Sequence, residues 1–321
     1  MNAASSGGHV LALSGGVGGA KLAAGLAAAL PPEQLTIAVN TGDDFEHLGL
    51  TVCPDIDSVV YALAGLNDTE RGWGIVDESW RTMERLGALG EATWFNLGDR
   101  DMAMHIARSW RLRAGESLSL VTERLAGALG IRHAVVPMSD MPVRTQVQTA
   151  DGWLDFQHYF VREQCRPAVS AIRFAGAPGA SPSPGLARAL ARDDLAAVIL
   201  CPSNPFLSVD PILAVDGVRQ ALAGRKVPFI AVSPLVGGQS LKGPLGKLLG
   251  ELGRENSNRA IAAHYAGLLD HLIIDESDAA DARGLRAAGL SVTLCPTVMC
   301  DAADRLWLAR VALSAAGIEM D

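Results

Sequence analysis

The chain alternates short apolar runs with longer segments of helical periodicity, and this alternation restricts the folds that it can form. The apolar runs are typical of buried strands and lie at His9–Leu13, Leu35–Asn40, Ala134–Met138, Ala197–Cys201, Pro228–Val232, His271–Asp275 and Ser291–Cys295. The helical segments in the first part of the chain are Gly19–Leu30, Asp57–Leu66, Glu78–Leu89 and Asp101–Leu112. Because parallel strands need crossover connections, the pattern predicts a doubly wound α/β fold around a mainly parallel sheet.

One stretch, Val143–Phe160, departs from this alternation. Polar and apolar residues alternate on both sides of Asp151-Gly152, which predicts an antiparallel hairpin. The stretch Gly176–Gly185 is rich in Gly, Pro, Ser and Ala and reads as the loop that leads back into the α/β body. We therefore expect a smaller α+β subdomain at residues 73–175, inserted into a body formed by residues 1–72 and 176–321.

The charge and the cysteine pattern exclude several classes of protein. The formal net charge is −8, whereas a nucleic-acid-binding protein normally carries a basic surface. An acidic protein that acts on an anionic substrate needs a divalent metal ion or a local focus of Lys and Arg. The five cysteines are odd in number and form no CxxC pair, which argues against a disulfide framework and a zinc site and fits a reducing cytoplasm.

The apolar stretch Leu11–Leu30 predicts neither a secretory signal nor a membrane span. No Lys or Arg precedes it, and Lys21 and several glycines interrupt it. We therefore expect a soluble, cytoplasmic protein with no membrane partner.

A glycine-rich loop lies between the first strand and the first helix. Its candidate ligand-binding residues are Gly15, Gly16, Gly18 and Lys21. Glycines at a helix start let the backbone approach a phosphate, although a tight strand-to-helix turn without a ligand has the same composition. The loop lacks the Lys-Ser/Thr ending of a Walker A motif and the third glycine of GxGxxG, so a P-loop kinase is rejected.

Two acidic motifs follow the second strand. Asn40 and Thr41 are candidate ligand-binding residues, and the adjacent Asp43 and Asp44 are candidates to hold a hard cation such as Mg²⁺. A solvated loop with an Asx cap is the alternative.

The second acidic motif contains Asp55 and Asp57, which precede an apolar helix and are candidate catalytic residues. A simple helix cap at Asp57 is the alternative interpretation.

Polar residues also follow other predicted strands or begin predicted helices. Arg100 is a candidate catalytic residue that could clamp an anionic group, and Asp99 is a candidate ligand-binding residue, although a surface ion-pair cluster is the alternative. Ser203 and Asn204 follow a strand, and Lys247 lies in a glycine-rich stretch suited to a diphosphate; ordinary loop chemistry is the alternative for these. In a parallel sheet such loops converge on one edge, where ligands bind.

Together these motifs resemble the CofD transferases of coenzyme F-420 biosynthesis. The runs that carry the resemblance are SGGVGGAKL, VNTGDDFEHLGLTVCPDIDSVVYAL, GWGIVDESW, NLGDRD and SNPFLSVDPIL. The resemblance extends from about Val10 to Val311. The resemblance implies a Rossmann-like homodimer that uses Mg²⁺. It also implies transfer of 2-phospho-L-lactate, phosphoenolpyruvate or 3-phosphoglycerate from a GDP-activated donor to the ribityl hydroxyl of the deazaflavin Fo, with release of GMP.

The resemblance also implies roles for individual residues. Asp57 and Arg100 match deazaflavin-binding positions of the family. Many relatives have Thr, Thr and Pro where this chain has Val17, Gly19 and Ala20, which removes possible hydroxyl contacts but leaves the backbone contacts.

A rival class is formed by non-catalytic CofD-like proteins that bind nucleotide sugars. They tend to carry a Gly/Ser-rich stretch where this chain has Phe45–Leu50, so the sequence favours the transferase.

Overall fold

The computed structural model describes residues 8–319. The strands are β1 (His9–Ser14), β2 (Leu35–Val39), β3 (Phe45–His47), β4 (Leu50–Val52), β5 (Ala134–Pro137), β6 (Arg144–Thr149), β7 (Gly152–Asp155), β8 (Ala171–Ala175), β9 (Leu195–Leu200), β10 (Phe229–Val232), β11 (Leu235–Val236), β12 (Gln239–Ser240), β13 (His271–Ile274) and β14 (Ser291–Leu294). The helices are α1 (Gly16–Ala29), α2 (Pro54–Ala64), α3 (Arg81–Ala88), α4 (Asp99–Arg113), α5 (Leu118–Ala128), α6 (Pro184–Leu190), α7 (Asp210–Ala214), α8 (Val218–Ala223), α9 (Leu245–Glu251), α10 (Asn258–His264), α11 (Ala279–Ala287) and α12 (Ala302–Ala315). Two π-helical turns cover His158–Arg162 and Pro205–Val209.

Seven strands form one parallel sheet in the order β14-β13-β10-β9-β1-β2-β5. Renumbered along the chain, this is the Rossmann-like order 3-2-1-4-5-6 with one further strand. The prediction of a doubly wound α/β fold is confirmed. The strand order reverses between β1 and β9, and such a reversal opens a crevice at the carboxyl ends of the two strands.

Both faces of the sheet are buried, which explains why its central strands are continuous apolar runs. Along β1, Leu11 and Leu13 pack into one apolar layer, whereas Val10 and Ala12 pack into the other. Side chains of α1, α2 and α12 cover the second of these faces. The alternation follows from the two-residue period of a strand. Among the described residues, no helix has both the length and the apolar character needed to cross a membrane.

A smaller antiparallel sheet, in the order β7-β6-β8, is formed by the part of the chain between β5 and β9. The hairpin expected at Val143–Phe160 is present as β6 and β7. The third strand, β8, pairs with β6 and was not predicted. The helical segment expected at Asp101–Leu112 is present as α4, which begins two residues earlier behind Gly98.

The predicted insertion at residues 73–175 overlaps the main sheet at one point. Strand β5 lies within this range, yet it pairs with β2 as the edge strand of the seven-stranded sheet. The division of the chain into a body and an insertion stays a proposal, with β5 counted in the body and the remaining elements of the range in the smaller part.

Close packing between α1 and α12 depends on Gly25. A Cβ atom at this position would lie 2.1 Å from the carbonyl oxygen of Arg305. We expect Gly25→Ala to lower the free energy of unfolding by about 1–3 kcal/mol, because the helices must move apart. Urea denaturation measures this change.

A matched control is Gly127→Ala in α5, where no atom lies within 4 Å of the added Cβ. This change should leave the protein as stable or stabilise it by up to about 1 kcal/mol through helix propensity. Equal effects at both positions would contradict the described packing.

Candidate functional site

The loops that follow β1 and β9 meet at the reversal of strand order. The backbone N–H of Gly15 donates to the Ser203 hydroxyl over 3.2 Å, and this hydroxyl donates to the Gly15 carbonyl over 2.8 Å. A Cβ atom at Gly18 would lie 2.6 Å from the carbonyl of Pro202. The glycines therefore allow two backbone segments to approach each other closely.

Helix α1 begins inside the glycine-rich loop, three residues before the predicted start at Gly19. Gly16 has a φ of 68°, in the left-handed region, so the sharp turn that starts the helix requires a glycine there. The side chain of Lys21 donates to the carbonyl of Met299 over 2.7 Å. Burial, together with the nearby Arg305 and Lys242, lowers the pKa of Lys21.

Asn40 connects the loops at the end of β2. Its amide nitrogen lies 2.9 Å from Asp55 Oδ2, 3.3 Å from Asp43 Oδ1 and 3.2 Å from the Leu207 carbonyl, and its Oδ1 accepts from Gly42 N. The side chain thereby holds two carboxylates of separate motifs beside each other.

The two other polar candidates of these loops have different surroundings. The Asn204 side chain caps the π-helical turn Pro205–Val209 by accepting from Phe206 N and Leu207 N. The Thr41 hydroxyl is buried and has no hydrogen-bond partner within residues 8–319.

Three carboxylates are buried at this edge: Asp43, Asp44 and Asp55. Burial raises the pKa of Asp44 to about 7 and that of Asp55 to about 6. Burial, reinforced by Asp55 and Asp44, raises the pKa of Asp43 well above its usual range. Asp44 Oδ1 is enclosed without a hydrogen-bond partner in the described part of the chain. The surroundings thus do not balance the charge that these carboxylates would carry when ionised, and a hard cation would supply the missing positive charge.

A cleft of about 220 Å³ is lined by Asp43 and Asp44, whereas Asp55 lies outside its lining within residues 8–319. One wall is the loop from Gly42 to Glu46, and the other is built from β6, the end of β7 and the following turn. Gln157 Nε2 reaches across to the carbonyl and Oδ2 of Asp43, 3.4 Å away in each case. Arg144 and His158 also line the cleft.

Sequence reasoning missed these residues of the second wall. The hairpin was predicted, but the pairing that brings its ends to Asp43 joins segments about a hundred residues apart and leaves no local signal.

Asp57 faces away from this cleft, into a buried ion-pair network. Both of its oxygens accept from the fully buried Arg108 of α4, and Arg108 also donates to the Thr51 carbonyl. Burial alone would lower the pKa of Arg108, but the charge of Asp57 raises it above its usual value. His105 and Asp101 complete the network, with His105 Nε2 3.2 Å from Asp101 Oδ1.

Asp57, Asp101 and His105 together could hold a metal ion. Their ligand atoms all lie within 4.8 Å of one another, and the three residues are buried. Sequence reasoning missed this group, although the spacing of Asp101 and His105 on α4 places them on one face. Arg108 already supplies a positive charge to both oxygens of Asp57, which opposes the entry of a second cation.

Of all the candidate residues, only Asp43 and Asp44 line the cleft within positions 8–319. Arg100 is exposed and donates to the Val76 carbonyl over 2.9 Å. Asp99 accepts from Ser79 and from backbone N–H groups at the start of α3, and these hydrogen bonds lower its pKa to about 2. Lys247 donates to Tyr159, to the Pro167 carbonyl and to Glu251. Their predicted roles toward a ligand stay predictions.

The sequence model of one protein family, described as 2-phospho-L-lactate transferase CofD, matches residues 10–297. The chain belongs to the CofD family. The resemblance seen in the motifs is thereby confirmed, and the protein is a transferase of this family.

Full-length relatives carry two different names. The chain is 40% identical over 314 residues to the phosphoenolpyruvate transferase of Streptomyces griseus, which covers 96% of this chain and 98% of the relative. It is 36% identical over 306 residues to the 2-phospho-L-lactate transferase of Methanosarcina mazei, and the match covers 95% of this chain and 100% of the relative. A crystal structure of a UPF0052 family member from Bacillus halodurans has a TM-score of 0.62 at 15% identity and covers 95% of this chain and 98% of that one. At this identity the structure supports the fold alone.

The buried ion pair of this CofD-family protein yields a stability prediction. Arg108→Met leaves the Asp57 carboxylate buried without a cation, so we expect the free energy of unfolding to fall by about 3–5 kcal/mol. The double variant Asp57→Leu/Arg108→Met should lose less than the single one, because no charge is then left unpaired. Urea denaturation of both variants measures the difference.

The matched control is Arg192→Met, which removes the arginine of the exposed pair with Asp194. Its denaturation midpoint should stay close to that of the parent chain. A similarly small effect of Arg108→Met would show that the buried pair is dispensable.

The raised pKa of Asp44 predicts how stability depends on pH without divalent cations. Between about pH 4 and about pH 7, Asp44 is protonated in the folded chain but ionised in the unfolded chain. The unfolded state therefore binds fewer protons, and stability falls as the pH rises through this window. The shift of about three pKa units corresponds to a loss of up to about 4 kcal/mol.

Asp44→Asn keeps the shape and removes the titration, so its stability should vary less across the same window. Denaturation in EDTA at a series of pH values measures both chains. Parallel curves for the two would contradict the prediction.

Proposed function

We propose that this CofD-family protein transfers a phospho-three-carbon-acid group from a GDP-activated donor to the ribityl hydroxyl of the deazaflavin Fo and releases GMP. The reaction belongs to coenzyme F-420 biosynthesis, and the protein acts in the cytoplasm as a homodimer. The acid is phosphoenolpyruvate, 2-phospho-L-lactate or 3-phosphoglycerate. Family membership supports this proposal, as do the two full-length relatives with their different donor names.

The observation that carries the proposal is the set of buried carboxylates at the reversal of strand order. Asp43 and Asp44 would hold Mg²⁺, and the enclosed, unpartnered Asp44 Oδ1 supports this fit. Mg²⁺ binds to one or two protein carboxylates and completes its coordination with water and substrate phosphates. When bound, it would neutralise the diphosphate of the donor, which the negative loop alone would repel.

Of the two candidate carboxylates, we assign the ribityl hydroxyl to Asp55, which Asn40 joins to Asp43 of the cleft. Its pKa of about 6 leaves it ionised near neutral pH and basic enough to accept a hydrogen bond or a proton. Hydrogen bonds from Gly16 N, over 2.7 Å, and from Asn40 fix its orientation. Asp57 is instead held in an ion pair by Arg108, whereas the donors to Asp55 are neutral. The oxygen of the hydroxyl bonds to phosphorus, the bond from phosphorus to GMP breaks, and the proton passes to Asp55.

Product formation tests the function. The purified protein is incubated with Fo, GTP, Mg²⁺, the partner guanylyltransferase and each three-carbon phospho-acid in turn, and products are weighed by mass spectrometry. We expect the mass of the Fo–phosphoacid adduct with at least one acid and none in EDTA. Binding of GDP or a GDP-sugar without Fo binding or product would favour the non-catalytic CofD-like alternative, and Fo fluorescence reports that binding.

Two aspartate variants separate catalysis from folding. Asp55→Asn should lower kcat by about 100-fold or more, the usual contribution of a general base, with a small change in melting temperature. Asp57→Asn should mainly lower the melting temperature. The reverse outcome, with normal turnover in Asp55→Asn, would reassign the reacting carboxylate to Asp57.

A further inference from the structure

Arg144 occupies a fixed position on the second wall of the cleft. It is the first residue of β6 and is paired in register with Ala175 of β8. The next residue, Thr145, donates its backbone N–H to the Gly42 carbonyl over 2.5 Å, which attaches the small sheet to the acidic loop. Arg144 is therefore held on both sides, opposite Asp43 and Asp44.

The charges around the cleft make Arg144 distinctive. Four carboxylates line it, those of Asp43, Asp44, Glu46 and Asp155. Arg144 is the one Arg or Lys among the lining residues in the described part of the chain. Any negatively charged group that enters this space meets its guanidinium as the counter-charge contributed by the protein.

The guanidinium of Arg144 forms no ion pair within residues 8–319. Its hydrogen bonds go to two backbone carbonyls, at 3.0 Å to Val143 and 3.4 Å to Thr41, and no carboxylate lies within 4.0 Å of it among residues 8–319. Arginine offers five N–H donors in a planar fork that matches a carboxylate with two parallel hydrogen bonds. Donors therefore remain free for a ligand.

We propose that Arg144 binds the carboxylate of the three-carbon acid in the GDP-activated donor, an inference that rests on the function proposed above. The donor carries two kinds of negative group. The diphosphate belongs with Asp43, Asp44 and the cation that they would hold, whereas the carboxylate needs a cation of the protein. All three candidate acids share this carboxylate, so one fixed arginine serves any of them.

The consequence is selectivity for a class of donor. Arg144 favours GDP derivatives that carry a carboxylic acid over GDP and over GDP-sugars, which have no group to pair with it. Such ligands therefore gain no hydrogen bonds from the Arg144 fork to a carboxylate.

The test compares three variants of the full-length protein. Arg144→Gln removes the charge, Arg144→Lys keeps the charge without the fork, and Arg173→Gln is the matched control. Arg173 belongs to the same small sheet, but it lies over the Trp153 ring at 4.1 Å and donates to Gln146. Transfer to Fo is measured with donor produced by the guanylyltransferase, GDP is tested as an inhibitor, and melting temperatures check folding.

We expect Arg144→Gln to raise the KM for the donor roughly 10- to 100-fold, as for the loss of charged hydrogen bonds. The KM for Fo and the inhibition constant of GDP should change less than about twofold, since neither ligand carries the carboxylate. Arg144→Lys should fall between parent and Arg144→Gln, and Arg173→Gln should match the parent. If Arg144→Gln folds poorly, Arg144→Lys provides the same comparison.

Two results would overturn the assignment. An unchanged KM for the donor in Arg144→Gln would exclude contact with the acid, and an equal weakening of GDP would assign Arg144 to the diphosphate. Failure of the proposed function looks different, because the parent protein would then form no product with any acid.

Discussion

Burial of three carboxylates at one edge of the sheet is the constraint on which the site depends. Asp43, Asp44 and Asp55 lose hydration there, and the amide of Asn40 and the charge of Arg144 balance only part of that loss. Such an arrangement is unfavourable for folding, and the cation that we propose there would offset this cost. The glycines of the first loop let Asp55 and Ser203 come close enough to build this edge.

The main sheet could be predicted from the sequence because its central strands are short apolar runs buried on both faces. Leu11 and Leu13 face one layer and Val10 and Ala12 the other, so a continuous run was the correct signal. The start of α1 was placed three residues late because the glycines concealed the first helical turn. Strand β8 left no signal, since its register depends on β6 rather than on its own pattern.

The site was predicted in part for the same reason. Polar residues at the carboxyl ends of parallel strands meet by geometry, which is why the sequence placed the loops of Gly15, Asn40 and Ser203 together. Side chains two positions apart in a helix point about 200° apart, so Asp55 and Asp57 face different surroundings. The sequence did not show which of the two faces the loop of Asp43. Arg108 and Arg144 were overlooked because an arginine in a helix or a hairpin usually faces solvent, and their roles come from contacts distant in sequence.

The Arg108–Asp57 pair also makes the stability of two parts of the chain depend on each other. It joins α4, from the range proposed as an insertion, to the start of α2 in the body. A shortened version without α3–α5 would expose apolar surface and leave the Asp57 carboxylate at the start of α2 without its arginine partner. Evolutionary trimming of this region would therefore need a compensating change at position 57, and recombination between relatives should exchange the two positions together.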